Sequence, residues 1–540
     1  MAWLAVQITG AATVWCKTGR RANAGRVVVN GMVKLLKRLA GHPRVKQLGP
    51  GLITGAADDD PSGIATYSQA GAQAGFNMLW TVLFTYPLMV GIQMVSARLG
   101  CITGRGLAAN VKLAYPRPVL LIIVGLLLIA NTINIAADIA AMGEALRLLL
   151  GGSARLYSVV FGLICLVLQV LLSYENYVRY LKWLTLALLS YVAVAFTIHV
   201  PWGEVIRDIA LPQLAFDHDT VTLVVAVFGT TISPYLFFWQ AAQEMEDLRA
   251  TTRIGGGRLL PHAEAVARQH LRRIRWDTYI GMGFSNLIAF FIILSTAATL
   301  HAAGIANIQT SGQAAEALRP LGGPVTFLLF SLGIIGTGML AVPVLAGSAA
   351  YAVAECFEWR SGLDMKIYEA LEFYCIIAVA TIGGVALNFT HLDPMRALLW
   401  SAEINGVIAV PIMAIMMLLA ARADIMGHFV VRPRLRRLGW AATAVMMVTG
   451  WRCWRRRRSW ATPTSSWSEP VPRAWRPPPV CAVRGWRIAC SNAAPRSPAA
   501  GAGTMIGCTC TPSRIIPDYR CRPGRPPRRA IPRAIRWSAI

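Results

Sequence analysis

Charge is scarce in this chain: 14% of its 540 residues are Asp, Glu, Lys or Arg, and the 26 acids number half the 52 basic residues. Soluble domains carry about a quarter charged residues, so an ordinary water-soluble fold is excluded. Catalytic signatures are missing too. The chain has no glycine-rich nucleotide loop, no zinc-ligand spacing and no nucleophile elbow, and its eight histidines are scattered, so no enzyme is expected. Its 11 cysteines form no disulfide framework. Cys101, Cys165, Cys356 and Cys375 fall in or at the edges of apolar runs, where cysteine behaves as a small hydrophobe. Residues 1–31 also lack the basic start, apolar run and small-residue cleavage site of a signal peptide.

Apolar sequence is what the chain has in abundance, at 55% hydrophobic residues and a mean hydropathy of +0.50. Several uninterrupted apolar runs reach roughly 20 residues, the length that crosses about 30 Å of hydrocarbon. The expected fold class is an all-α polytopic membrane protein, with spans near 49–74, 76–97, 119–146, 156–173, 181–200, 221–242, 278–301, 324–354, 368–388 and 395–421, and an incomplete eleventh at 436–450. Lipid is therefore an expected partner.

The formal net charge of +26 suggests nucleic acid until its distribution is read. Residues 451–540 hold 18 arginines and no lysine against two acids, Glu469 and Asp518, so more than half of the surplus lies outside the membrane body. That Arg- and Pro-rich tail has no hydrophobic period. It reads as disordered or as the product of a shifted reading frame, and no nucleic-acid partner is expected. Residues 1–48 read as a cytoplasmic leader, with Met32 as a natural alternative start to 1–31. Lysines and arginines in short loops mark the cytoplasmic side. Lys34, Lys37 and Arg38, then Arg98 and Arg105, then the arginine-rich loop 249–275 share one side, while loop 201–220 is acidic. An N-terminus in the cytoplasm and a multi-pass location in the inner (plasma) membrane follow as expectations.

Two spans are interrupted. The first breaks at Asp60-Pro61-Ser62-Gly63 after three consecutive acids, Asp58, Asp59 and Asp60, and the sixth breaks at Ile232-Ser233-Pro234-Tyr235. Ionisable groups at bilayer depth are costly, and a proline there strands carbonyls that only a cavity or neighbouring helix can satisfy. Matching broken helices in two halves point to an inverted-repeat transporter with its site where the breaks meet. The halves are expected at 49–200 and 221–421, five segments each.

Gly49-Pro50-Gly51, Asp60-Pro61-Ser62-Gly63, Thr66, Ala70-Gly71-Ala72 and Leu79-Trp80 keep the order and spacing of a motif set that resembles the Nramp family of divalent metal transporters. The likeness extends more weakly to about residue 421. It implies a LeuT-like inverted repeat of five plus five helices and uptake of divalent metal cations of the Mg²⁺, Mn²⁺ and Fe²⁺ class, commonly with protons. The metal would be the transported substrate, with no cofactor. Carried over by position, the resemblance makes Asp60 the metal-binding Asp and puts Gly63 where the family has Asn. Ile232 and Ser233 stand where it has Ala and Met, and Tyr235 where it has His. This is the pattern of the diverged, Nramp-related branch lacking the site methionine.

Oxygen in place of sulfur makes the site harder, suited to Mg²⁺ or Mn²⁺. Loss of two direct ligands leaves room for a partly hydrated ion, as Mg²⁺ prefers. Asp58 and Asp59 are candidates for the entry path, and Tyr235, Asp138, Glu403 and Asn405 for the path or a proton relay. Against such a relay, Ala141 and Gln240 stand where the family has a second acid and a histidine. Asp138 and Glu403 are equally compatible with interhelical hydrogen bonds. The alternatives are a transporter of the same fold for an organic or amine substrate, bound at Asp58 to Asp60, and a nonfunctional frameshifted product. If Ser233 makes the site hard, Ser233→Met is expected to raise Cd²⁺ or Fe²⁺ uptake at the expense of Mg²⁺, measured by competition in proteoliposomes.

Overall fold

A computed structural model describes residues 50–171, 184–198, 200–212, 218–255, 264–306, 308, 311–363, 365–390, 394–461, 480–483 and 486–489. The leader at 1–48 lies outside these residues, as does most of the tail.

Proline sets where the first helices start and stop. α1 (Pro50–Asp58) ends because Pro61 has no N–H with which to continue it, and the same ring fits the first position of α2 (Pro61–Ala74). The residue before a proline is driven to extended backbone, and Asp60 has φ −68° and ψ 165°. A 3₁₀ turn then leads into α3 (Leu79–Thr103), α4 (Leu107–Ala114), α5 (Arg117–Leu150) and α6 (Ala154–Leu171). The short helices α7 (Leu189–Ala195) and α8 (Trp202–Ala210) follow.

The second interruption repeats the first: α9 (His218–Thr231) stops at Ile232-Ser233 and α10 (Pro234–Gly255) begins at the proline. Beyond it come α11 (Glu264–Thr296), α12 (Ser311–Phe357, interrupted at Gly323), α13 (Leu371–Leu387), α14 (Pro394–Ala421), α15 (Ala423–Met426) and α16 (Pro433–Ala461). α16 runs past position 450, where hydropathy falls, because arginine is a good helix former even where the chain is no longer apolar. A separate unit spans residues 462–540, and its described part is an antiparallel hairpin, β1 (Val480–Val483) with β2 (Trp486–Ala489).

Six helical stretches among the described residues are long and apolar enough to cross a membrane, or seven if Ile408–Ala421 and Ala423–Phe429, bent by 69°, form one span. Their periodicity separates lipid from core. On α6, Phe161, Cys165 and Gln169 are buried at helical spacing while Leu156, Leu163 and Leu171 are exposed. The chain is thus an all-α polytopic membrane protein.

Without a hydrophobic drive between helices in lipid, close approach and polar contacts hold the bundle together. α1 crosses α11 where both offer glycine. A Cβ built on Gly55 would land on the Gly281 carbonyl, and one on Gly281 would land on the Gly51 carbonyl. The contact is fastened at its end by Asp277, whose Oδ2 accepts the Gly51 N–H at 2.8 Å and satisfies an orphan donor of the first turn. α5 is clamped to α12 by the Asn131 amide, which donates to the Leu345 carbonyl at 2.9 Å and the Ser348 hydroxyl at 2.8 Å. Near these helix ends Arg273 bridges Glu244, at 2.7 Å, and Asp247. Glu246 Oε1 accepts from the Tyr351 hydroxyl and from the Leu363 N–H at 2.8 Å.

Gly55→Ala is expected to force α1 off α11, because the obstacle is backbone and cannot swing aside. Overpacking of this kind costs about 1–3 kcal/mol, read as a lower unfolding temperature in detergent, with Gly55→Val worse.

Candidate functional site

The two interruptions meet. A Cβ on Gly63 would lie 3.0 Å from Thr230 Cγ2 and 3.1 Å from Asp60 Oδ1, so the start of α2 rests against the end of α9. Thr230 Oγ1 lies 3.5 Å from Thr66 Oγ1, and the Tyr67 hydroxyl is 3.2 Å from Thr231 Oγ1. Thr231 spends its own hydroxyl hydrogen on the Val227 carbonyl at 2.7 Å, so in that pair Tyr67 is the donor. Across the other side of the junction the Tyr235 hydroxyl donates to the Ala57 carbonyl at 2.9 Å.

Asp60 sits at this junction, 3% exposed, as the N-cap of α2. Its Oδ1 accepts the Gly63 N–H at 2.5 Å and the Ser62 hydroxyl at 2.8 Å. The first is the bond an aspartate N-cap makes to an orphan backbone donor of the first turn, and the second is a side-chain hydroxyl donating to the same oxygen. A carboxylate has about four lone-pair directions, so capping orients the group without exhausting it. Gly63 thus gives the site an N–H aimed at Asp60, and the absence of a side chain there makes room for Thr230.

Ser233 is 5% exposed and donates to the Thr230 carbonyl at 2.9 Å, while Ile232 is buried with its N–H on the Phe228 carbonyl at 3.0 Å. A hydroxyl that donates to a carbonyl keeps its oxygen lone pairs free, so Ser233 can still face a cation. Tyr235 is buried and committed to Ala57.

The neighbouring acids divide. Asp58 turns to α11, where its Oδ2 accepts from the Ser285 hydroxyl at 3.2 Å and its Oδ1 is buried with no partner. Asp59 and Asp138 are fully buried, and none of their four carboxylate oxygens has a hydrogen bond. Asp138, on α5, is close enough to Asp60 for their charges to interact. Asn405 is buried with Oδ1 unpaired, on α14, whereas the Glu403 side chain lies outside the described residues. Gln240, at the family's histidine position, donates to Thr278 Oγ1 on α11 at 3.2 Å. Among the described residues no three His, Cys, Asp or Glu side chains form a metal-holding group. The arrangement therefore offers one oriented carboxylate and a hydroxyl beside two carbonyls that each already accept one hydrogen bond, with uncompensated acids behind them. Buried charge of that kind demands a cation or a proton.

Several residues of the junction carry no motif. Thr230 and Ala57 could have been found by counting four back from each proline, since those carbonyls lose their helical donor. Ser285 and Tyr67 leave no such mark.

Comparison with known proteins agrees with the geometry. Residues 51–453 match the family described as Natural resistance-associated macrophage protein-like, Nramp. A divalent metal cation transporter MntH of Klebsiella pneumoniae is 26% identical over 423 residues, covering 77% of this chain and 95% of that protein. One from Burkholderia ambifaria is 26% identical over 423 residues, covering 74% and 86%. Among solved structures, a variant of the Eremococcus coleocola manganese transporter aligns with a TM-score of 0.63 at 16% identity over 79% of this chain and 90% of its own. The same transporter with an aromatic bis-isothiourea compound aligns at 0.60, 16% identity, 76% and 87%. At that identity the likeness is one of fold.

If Asp60 both caps and binds, the two roles come apart by substitution. Asp60→Asn keeps a good N-cap and is expected to unfold near the wild-type temperature. Asp60→Ala loses about 1 kcal/mol of helix stability and unfolds earlier in the same detergent scan.

Proposed function

The chain belongs to the Nramp family, and from that premise we propose that it carries a divalent metal cation across the membrane, with the ion held between the two broken helices at Asp60. The observation that supports this reading is the junction itself. Two helices interrupted by Pro61 and Pro234 touch through Gly63 and Thr230, with a capped, buried carboxylate at the contact.

In this reading Asp60 supplies charge, the Ser233 hydroxyl supplies a hard oxygen, and water completes the shell. Oxygen donors without a thioether favour Mg²⁺ or Mn²⁺ over softer ions. Fe²⁺ is borderline at such a site. Asp58 and Asp59 line the approach and draw cations inward. Alternating access would proceed by rocking one five-helix repeat, 49–200, against the other, 221–421, around a site at their interface. Of the positions the resemblance connects with protons, Asp138 keeps an ionisable side chain while Ala141 and Gln240 do not, so Asp138 is the first candidate to carry any coupled proton. The positive-inside bias supports a cytoplasmic N-terminus in a plasma membrane.

Uptake of Mn²⁺ and Mg²⁺ into proteoliposomes tests the proposal. Asp60→Asn is expected to bring both to background although the protein is folded, and Asp58→Ala to reduce them less. Low concentrations of Cd²⁺ should leave wild-type uptake largely intact. Full uptake by Asp60→Asn would reject the site, and a complete block by Cd²⁺ would reject its hardness.

A further inference from the structure

Each proline at the junction strands one carbonyl, the one four residues earlier whose helical donor would have been the missing N–H. For Pro61 that carbonyl belongs to Ala57, and for Pro234 it belongs to Thr230. Both are occupied, each by a hydroxyl from a residue flanking Pro234. Ser233 takes Thr230 at 2.9 Å within its own break, and Tyr235 takes Ala57 at 2.9 Å across the junction.

The second bond bears directly on the ion. The Ala57 carbonyl lies in the last turn of α1, at the partly negative end of the helix, three residues from Asp60. Uncovered, it would be a ready inner-sphere oxygen for a cation resting on that carboxylate. The Tyr235 hydroxyl is held on it by position: the residue directly follows Pro234, in the first turn of α10, and its ring is 2% exposed. Tyr67, the other tyrosine bridging the breaks, spends its hydroxyl on the Thr231 side chain and leaves the stranded carbonyls alone.

We propose that Tyr235 is a specificity-determining residue: by donating to the Ala57 carbonyl it takes one of that oxygen's two lone pairs and weakens it as a direct ligand, so that a water in the ion's shell competes for that place. The inference rests on the divalent-cation reading given above and adds to it the group that sets the hydration of the bound ion. Mg²⁺ gives up water reluctantly and binds well where several waters stay, whereas Mn²⁺ accepts protein oxygen more readily. A covered carbonyl therefore narrows the advantage of Mn²⁺ over Mg²⁺, and an uncovered one widens it.

The test uses the full chain, purified in detergent, with Mn²⁺ and Mg²⁺ as the probes. Calorimetric titration of wild type and Tyr235→Phe gives the ratio of the two affinities, which is expected to move toward Mn²⁺ by on the order of tenfold in the variant, the scale of one hydrogen bond to a carbonyl. Electron–nuclear double resonance on bound Mn²⁺ counts coordinated water and is expected to show a hydrated ion in wild type and one water fewer in Tyr235→Phe. An unchanged affinity ratio with an unchanged water count overturns the role of Tyr235 while leaving the transport reading intact. A Mn²⁺ ion in the wild type with no coordinated water overturns it without recourse to the variant. Failure of the folded wild type to bind either ion overturns the transport reading and this inference with it.

Discussion

The constraint on which the rest depends is the N–H that proline does not have. In the hydrocarbon region a stranded carbonyl costs several kcal/mol unless protein answers it. Pro61 and Pro234 strand Ala57 and Thr230, and the hydroxyls of Tyr235 and Ser233 answer them. One of those answers comes from the other broken helix. The second break is answered within itself and the first only by a hydroxyl from the other broken helix, so the interruption that weakens the first helix is also what ties the two together.

Packing brings the carboxylates to this junction. Gly55 and Gly281 let α1 and α11 approach to backbone contact, and the approach turns Asp58 toward Ser285. Gly63 admits the end of α9 through Thr230 and caps Asp60 with its own N–H. The missing side chain at Gly63 therefore makes room for Thr230, while its backbone N–H orients the Asp60 carboxylate.

Two treatments of buried acid stand side by side in the bundle. Glu244 and Asp247 share Arg273, whose guanidinium fork donates to both carboxylates and offsets one of the two charges. Asp59 and Asp138 have no such partner among the described residues, and their oxygens accept nothing. Carboxylates needed only for structure are paired within the protein. Those near the broken helices, Asp59 and Asp138, have no basic partner among the described residues, which is the electrostatic ground for the cation site proposed above.

Much of this was legible in the chain itself. Hydropathy marks most of the described helices, because crossing hydrocarbon depends on length and apolarity along a contiguous segment. The breaks are readable because the action of proline on the residue before it and the carbonyl four back is covalent and local. The meaning of Asp60-Pro61 as an interruption with a carboxylate at its edge was thus set by sequence alone, together with the resemblance carried by residues 49–80. Which hydroxyl answers which carbonyl was not. Tyr235 and Ala57 are 178 residues apart, and Tyr67 and Thr231 are 164 apart. That Asp60 caps a helix while Asp58 turns to Ser285, and that Gly63 fits Thr230, depends on how helices far apart in sequence come to touch. No local pattern encodes such contacts, because hydrogen bonds across a junction are chosen by packing after the helices have formed.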